Sequence, residues 1–102
     1  MSDWTSVGRV DDRAELDAVR MAGLEIAIAH LSDDSWVAFD NTCPHEECPL
    51  SDGDLKGTRI TCYCHSSVFD VRTGEVLEGP ADEPIAVYAA RVEGGELQVA
   101  LP

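Results

Sequence analysis

The residues in this chain best suited to metal chemistry are gathered in two short segments. All four cysteines and two of the three histidines lie in residues 43–48 (CPHEEC) and residues 62–67 (CYCHSS). Thiolate and imidazole are ligands that favour transition metals over magnesium or calcium. Turn-forming residues, Pro44, Pro49 and the run Ser51-Asp52-Gly53, flank the first ligands. We therefore predict two ligand loops that converge on one metal site.

Two metal chemistries are compatible with these ligand types. Structural zinc sites usually group like ligands, with two cysteines in one turn and two histidines in another. Here each segment instead supplies one cysteine and one histidine, as Cys-x-His and Cys-x-x-His. That pairing suits a two-iron, two-sulfide cluster in which one iron binds both thiolates and the other binds both imidazoles. A structural zinc module for protein binding is the alternative, and a thiol–disulfide switch at Cys48 and Cys64 is a third.

The two segments resemble the ligand boxes of Rieske iron–sulfur proteins, and their flanks extend the match. Residues 49–53 (PLSDG) and 67–81 (SVFDVRTGEVLEGPA) resemble the Rieske ferredoxins that supply electrons to aromatic-ring dioxygenases. The resemblance implies one [2Fe-2S] cluster per chain. By position, Cys43 and Cys62 would bind one iron, and His45 and His65 would bind the other.

Cys48 and Cys64 lie outside that ligand set and depart from the dioxygenase ferredoxins. They match the Rieske subunits of quinol-oxidising respiratory complexes, in which equivalent cysteines join the two loops by a disulfide. The resemblance therefore implies a Cys48–Cys64 disulfide here, although disulfides are uncommon in cytoplasmic proteins. In the chain-entropy description such a bridge stabilises the fold by roughly 3 kcal/mol.

The same resemblance assigns roles to neighbours of the ligands. Ser67 occupies the position of a serine that donates a hydrogen bond to a cluster sulfide, whereas Phe69 replaces a tyrosine that donates to a ligand sulfur. Pro80 belongs to a loop, Gly79-Pro80-Ala81, that would cover the cluster as a lid. Ser66 replaces a common glycine, so a backbone with positive φ there would be mildly strained.

Composition narrows the range of partners. The net charge of −13 disfavours binding to nucleic acid or to anionic membranes, and it suits a carrier that is steered to basic docking faces. The first ten residues do not form a basic-then-apolar leader, and no apolar run approaches the ~18 residues of a membrane span. We expect a cytoplasmic monomer without a membrane anchor.

Short apolar segments between turn residues predict an all-β fold. Strands are predicted at residues 4–10, 19–21, 24–30, 36–40, 56–61, 67–70, 75–77, 86–92 and 96–100, with residues 11–16 as a loop. We expect one domain over residues 1–102, an antiparallel β-sandwich or barrel with a small cluster-binding subdomain. Its ligand loops would span about residues 41–53 and 62–70, and its lid about residues 79–84.

The sequence shows no machinery for substrate chemistry. It contains no evident nucleophile–base pair, and the third histidine, His30, ends a predicted strand, where a surface or structural role is expected. A mononuclear iron site of two histidines and a carboxylate therefore lacks its ligands. We predict a one-electron carrier rather than an enzyme, and the resemblance implies a reductase as donor and an oxygenase or another redox enzyme as acceptor.

Overall fold

A computed structural model describes residues 3–12, 14–21, 23–42, 48–64, 66–79 and 83–101. These residues form short antiparallel strands and two single 3₁₀ turns, Val10–Asp12 and Leu50–Asp52. The strands are β1 (Asp3–Arg9), β2 (Leu16–Met21), β3 (Leu24–His30), β4 (Trp36–Asp40), β5 (Asp54–Lys56), β6 (Arg59–Thr61), β7 (Val68–Asp70), β8 (Val76–Glu78), β9 (Val87–Tyr88), β10 (Ala90–Glu93) and β11 (Glu96–Leu101). The prediction of an all-β, antiparallel fold is confirmed.

The strands form three sheets, ordered β1-β11-β10, β2-β3-β4-β9 and β5-β6-β7-β8. We call the first two sheets together the base, and the third the small sheet. No helix in the described ranges has the length and apolar character needed to cross a membrane.

Strand β3 shows how the sheets are layered. Alternate side chains on a strand point to opposite faces. Ile26 and Ile28 accordingly enter a core with Leu97 and Val99 of β11. Ala27 and Ala29 enter a second core, shared with the small sheet and the segments beside it: Leu31, Phe39, Leu50, Ile60, Cys62, Phe69, Val71 and Ile85. The β2-β3-β4-β9 sheet is therefore the middle layer. The alternation of apolar residues in β3 predicted burial on one face, but the strand is buried on both.

Two predicted strands are each divided in the structure. The strand predicted at residues 56–61 is a hairpin of β5 and β6, because Gly57 takes a φ of +61° and turns the chain. The strand predicted at residues 86–92 breaks at Ala89: β9 pairs with β4, and β10 pairs with β11.

The loop predicted at residues 11–16 is also partly wrong. Its first residues belong to the Val10–Asp12 turn, and Leu16 already pairs with Ala29 at the start of β2. The predicted strand at residues 19–21 is thus the end of a longer strand, since pairing with β3 extends it over polar residues.

Candidate metal centre

The second ligand segment is a closed loop between β6 and β7. The Cys62 N–H donates to the Ser67 carbonyl over 2.8 Å, and the Ser66 N–H donates to the Cys62 carbonyl over 2.8 Å. Cys62 is fully buried and is the one free cysteine among the residues that the structure describes. Its backbone is therefore fixed where β6 ends, and its side chain is buried in the core that the small sheet shares with the middle layer.

Ser66 takes a φ of +62°, in the left-handed region that favours glycine. A side chain in the left-handed region costs about 1–2 kcal/mol relative to the right-handed one. The hydrogen bonds on either side of Ser66 hold the backbone in this conformation, so the loop accepts a local strain in order to close.

The first ligand segment is anchored by a residue that the sequence did not single out. Asn41 is 5% exposed; its Oδ1 accepts the Ser51 N–H over 2.7 Å, and its carbonyl accepts the Leu50 N–H over 2.6 Å. Thr42 and Pro49 form a β-bridge beside these bonds. The residues on either side of the first ligand segment are thus held together by hydrogen bonds. An asparagine at the end of a strand was the one available signal.

The Cys48–Cys64 disulfide is present, with its Cα atoms 6.5 Å apart. It joins the end of the first ligand segment directly to the second. The sulfurs of Cys48, Cys62 and Cys64 all lie within 4.8 Å of one another. Since two of these sulfurs are bonded to each other, Cys62 alone of the three can provide a thiolate.

Ser67 and Phe69 lie beside Cys62, and both are fully buried. The Phe69 ring packs in the same core as Cys62, and Phe69 pairs with Ile60 across the sheet. Phe69 therefore contributes apolar packing under the ligand loop. The Ser67 carbonyl closes the loop, while its hydroxyl is enclosed within the protein.

The residue that follows the predicted lid, Ile85, is fixed against Gly74. The Ile85 N–H donates to the Gly74 carbonyl over 2.9 Å, and a Cβ at Gly74 would lie 2.0 Å from the Ile85 carbonyl oxygen. Only glycine fits this contact, and its φ of +82° suits glycine as well. Pro80 itself lies outside the described residues, as do Cys43, His45 and His65.

His30 has the structural role that was expected of it. Its ring stacks on Trp36 with centroids 4.3 Å apart, and its Nε2 lies 2.6 Å from Asp34 Oδ1. These contacts fix the imidazole ring of His30 within the base.

Comparison with known proteins shows the family to which this chain belongs. Residues 3–89 match the model of the Rieske [2Fe-2S] domain family. The chain belongs to the Rieske family. The anthranilate 1,2-dioxygenase ferredoxin subunit of Burkholderia cepacia is 31% identical over 101 residues, which cover 97% of this chain and 93% of that subunit.

Solved Rieske structures agree with the fold. The ferredoxin of carbazole 1,9a-dioxygenase from Nocardioides aromaticivorans IC177 superposes with a TM-score of 0.90 at 31% identity, covering 97% of this chain and 98% of that one. A chain in the complex of reduced oxygenase and oxidized ferredoxin in carbazole 1,9a-dioxygenase superposes with a TM-score of 0.87 at 30% identity. The match covers 94% of this chain and 100% of that one.

Because the chain belongs to the Rieske family, its cofactor is a [2Fe-2S] cluster, and the alternative of a structural zinc module is excluded. The described residues fit such a cluster: one buried thiol, Cys62, lies on a closed loop that a disulfide joins to the other ligand segment. The relatives are ferredoxin subunits, so the chain is an electron-transfer protein and not an enzyme.

Proposed function

We propose that this Rieske protein is a one-electron carrier that receives an electron from a reductase and delivers it to an oxygenase or another redox enzyme. The observation that carries the proposal is similarity along nearly the whole chain to ferredoxin subunits of dioxygenase systems. The matching complex of an oxygenase with a ferredoxin supports the acceptor class.

The proposed ligands are the thiolates of Cys43 and Cys62 and the imidazoles of His45 and His65. The burial of Cys62 supports this assignment, because a thiolate bound to iron is shielded from water there. The disulfide supports it too, since it joins the first segment to the second, and the Asn41 hydrogen bonds hold the two ends of the first segment together. Two neutral histidine ligands raise the reduction potential of such a cluster to roughly −150 to +300 mV.

The neighbouring residues are proposed to tune and protect the cluster. The enclosed Ser67 hydroxyl would donate a hydrogen bond to it, Phe69 would withhold the second donor, and Pro80 would belong to the lid over residues 79–84. We also propose that residues 1–102 act as one domain, with ligand loops at about 41–53 and 62–70, and as a cytoplasmic monomer.

Metal analysis and EPR test the ligand set. As-purified protein should contain two irons and two sulfides per chain, which would make it red-brown. His45→Ala and His65→Ala should each abolish the Rieske EPR signal. His30→Ala is the matched control and should keep it, because His30 belongs to the base. Colourless protein that contains zinc but no sulfide, after expression with adequate iron, would refute the proposal.

A further inference from the structure

Charges are distributed unevenly along the small sheet. The register places one row of residues next to Cys62: Asp54, Thr61, Val68 and Glu78. A second row lies two residues, or about 7 Å, further away: Lys56, Arg59 and Asp70. Every basic residue of the described segments 48–64 and 66–79 lies at this far end: Lys56, Arg59 and Arg72.

The end next to Cys62 carries three exposed carboxylates, Asp52, Asp54 and Glu78. Asp52 is held there because Gly53 lies against β6, where a Cβ would be 2.1 Å from the Thr61 carbonyl oxygen. Asp54 Oδ2 lies 3.6 Å from Lys56 Nζ, but both side chains are mostly exposed, so this pair is weak. The near end is therefore acidic.

An exposed aromatic residue lies at the same end. Tyr63 follows Cys62, and 59% of it is exposed, more than any other large hydrophobic residue that the structure describes. Its backbone is fixed on both sides, by the buried Cys62 and by the Cys64 disulfide. A rigidly presented tyrosine loses little conformational entropy on binding, and tyrosine is enriched among the residues that dominate binding energy at interfaces.

We infer that this end of the small sheet is a docking face for a redox protein whose own face carries lysine and arginine around an apolar recess. Tyr63 is the apolar anchor of the docking face, and Asp52, Asp54 and Glu78 are its charged rim. The far end makes the orientation specific, because Lys56, Arg59 and Arg72 there offset Asp70 and Glu75, so that end lacks the net negative charge that attracts a cationic partner. This inference rests on the proposed function and names the chemistry of the partner.

Electron transfer to ferric cytochrome c, a cationic redox protein, provides the test. The reduced holo-protein is mixed with it by stopped flow over a range of NaCl concentrations. Glu78→Lys should slow the low-salt rate by about threefold to tenfold and flatten the salt dependence. Glu75→Lys is the matched control: it makes the same charge change on an exposed glutamate just before the same strand, at the far end, and should change the rate less than about twofold.

The anchor is tested at high salt, where charge is screened. Tyr63→Ser should lower that rate about fivefold or more, while Tyr63→Phe keeps it, because the ring provides the contact area. Val92→Ser, at an exposed valine on β10, is the control and should leave the rate unchanged. The EPR signal and reduction potential of each variant show that its cluster is intact.

Equal rates for Glu78→Lys and Glu75→Lys, or for Tyr63→Ser and Val92→Ser, would overturn the docking face while leaving the carrier function in place. Wild-type holo-protein that passes no electron to cytochrome c would also overturn the docking face, whereas a cluster that cannot be reduced and reoxidised would contradict the carrier function itself. A dimer in sedimentation that Tyr63→Ser abolishes would assign the face to a second copy of the chain and also overturn the inference.

Discussion

The base and the small sheet are both antiparallel, but they differ in how much structure each can support alone. In the base, β2 and β3 pair at six consecutive positions, and β3 and β4 pair at five. In the small sheet, all four strands are three residues long, and β5 pairs with β6 at three positions. Pairing this short is marginal in water, so the small sheet needs support from elsewhere.

The cores show where that support comes from. The core between the two base sheets contains only base side chains, such as Ile26, Ile28 and Leu97. The small sheet instead shares its core with the middle layer, where Ile60 and Phe69 pack in one cluster with Phe39. It is also the region that carries the disulfide and Cys62. The comparison indicates that the base is stabilised by its longer strand pairing and its own core, whereas the ligand region depends on a core shared with the base and on the disulfide.

Of the changes proposed, removing the cluster should most increase the difference in stability between the base and the small sheet. After iron chelation, we expect amides in residues 48–64 and 66–79 to lose most of their protection from hydrogen exchange, because a cross-link between the two ligand loops is gone. Amides of β3, β4 and β11 should keep theirs. Hydrogen-exchange mass spectrometry with the disulfide intact measures this protection. An equal loss of protection in the base and in the small sheet would contradict the proposed difference between them.

Removing the disulfide should have the next largest effect. Cys48→Ser combined with Cys64→Ser should still bind the cluster but lose it several-fold faster on warming. The free-chain stabilisation of roughly 3 kcal/mol is an upper limit, since the cluster already closes the same loop. Both cysteines are changed because a single variant would leave an extra thiol beside Cys62. A double variant that retains its visible absorption as long as the parent would disprove the clamping role.

Ser67→Ala tests the ligand region by itself, because we expect it to change the surroundings of the cluster while leaving the fold intact. A hydrogen bond to a charged group is worth about 1.5–3 kcal/mol, so its loss from the reduced form should lower the potential by roughly 65–130 mV. Protein-film voltammetry measures the shift. Ser66→Ala, at the exposed neighbour, serves as the control, and an equal shift in both variants would argue against a specific hydroxyl donor.

The smallest effect is expected at an ion pair that connects the two regions. Asp33, between β3 and β4, accepts hydrogen bonds from Ser35 and from Arg72, which lies in the turn after β7. The Ser35 hydroxyl and N–H, and then Arg72, lower the pKa of Asp33 below its usual 3.8. Its stabilising effect is therefore fully present above pH 3.8 and is lost as the pH falls through the lowered pKa.

Asp33→Asn should accordingly reduce the Tm by at most a few degrees near neutral pH, because the pair is exposed. The difference from wild type should shrink as the pH falls below 3.8. Thermal unfolding followed by circular dichroism at several pH values makes the comparison. A difference that does not change with pH would exclude ionisation of Asp33 as its cause.

Much of the base could be predicted from sequence. The bounds of β3 and β4 match the predicted strands at residues 24–30 and 36–40, because apolar runs there end at polar turn residues. The start of β2 was missed because Asp17 and Ala18 have low strand propensity and are held in the strand by pairing with β3. The break at Ala89 was missed because a change of pairing partner leaves no mark on an apolar run.

Some features of the metal centre could likewise be predicted from the sequence, and others could not. The Cys48–Cys64 bridge is confirmed, because both cysteines lie in the short ligand segments that the sequence identified. The strain expected at Ser66 if its φ were positive applies, since that φ is +62°. Asn41 was missed because its role depends on where Ser51 lies after folding. The ligand assignments of Cys43, His45 and His65 stay predictions, as does the lid role of Pro80.

The pairing of β1 with β11 has a consequence for synthesis on the ribosome. β2, β3 and β4 can pair in turn soon after each leaves the exit tunnel, since each follows its partner closely in the chain. β1 cannot, because Thr5 pairs with Val99. At about 5–20 residues per second, the ~90 residues between them take about 5–20 s to translate. For that time β1 is an open strand edge in the cell, available to chaperones or to a neighbouring chain.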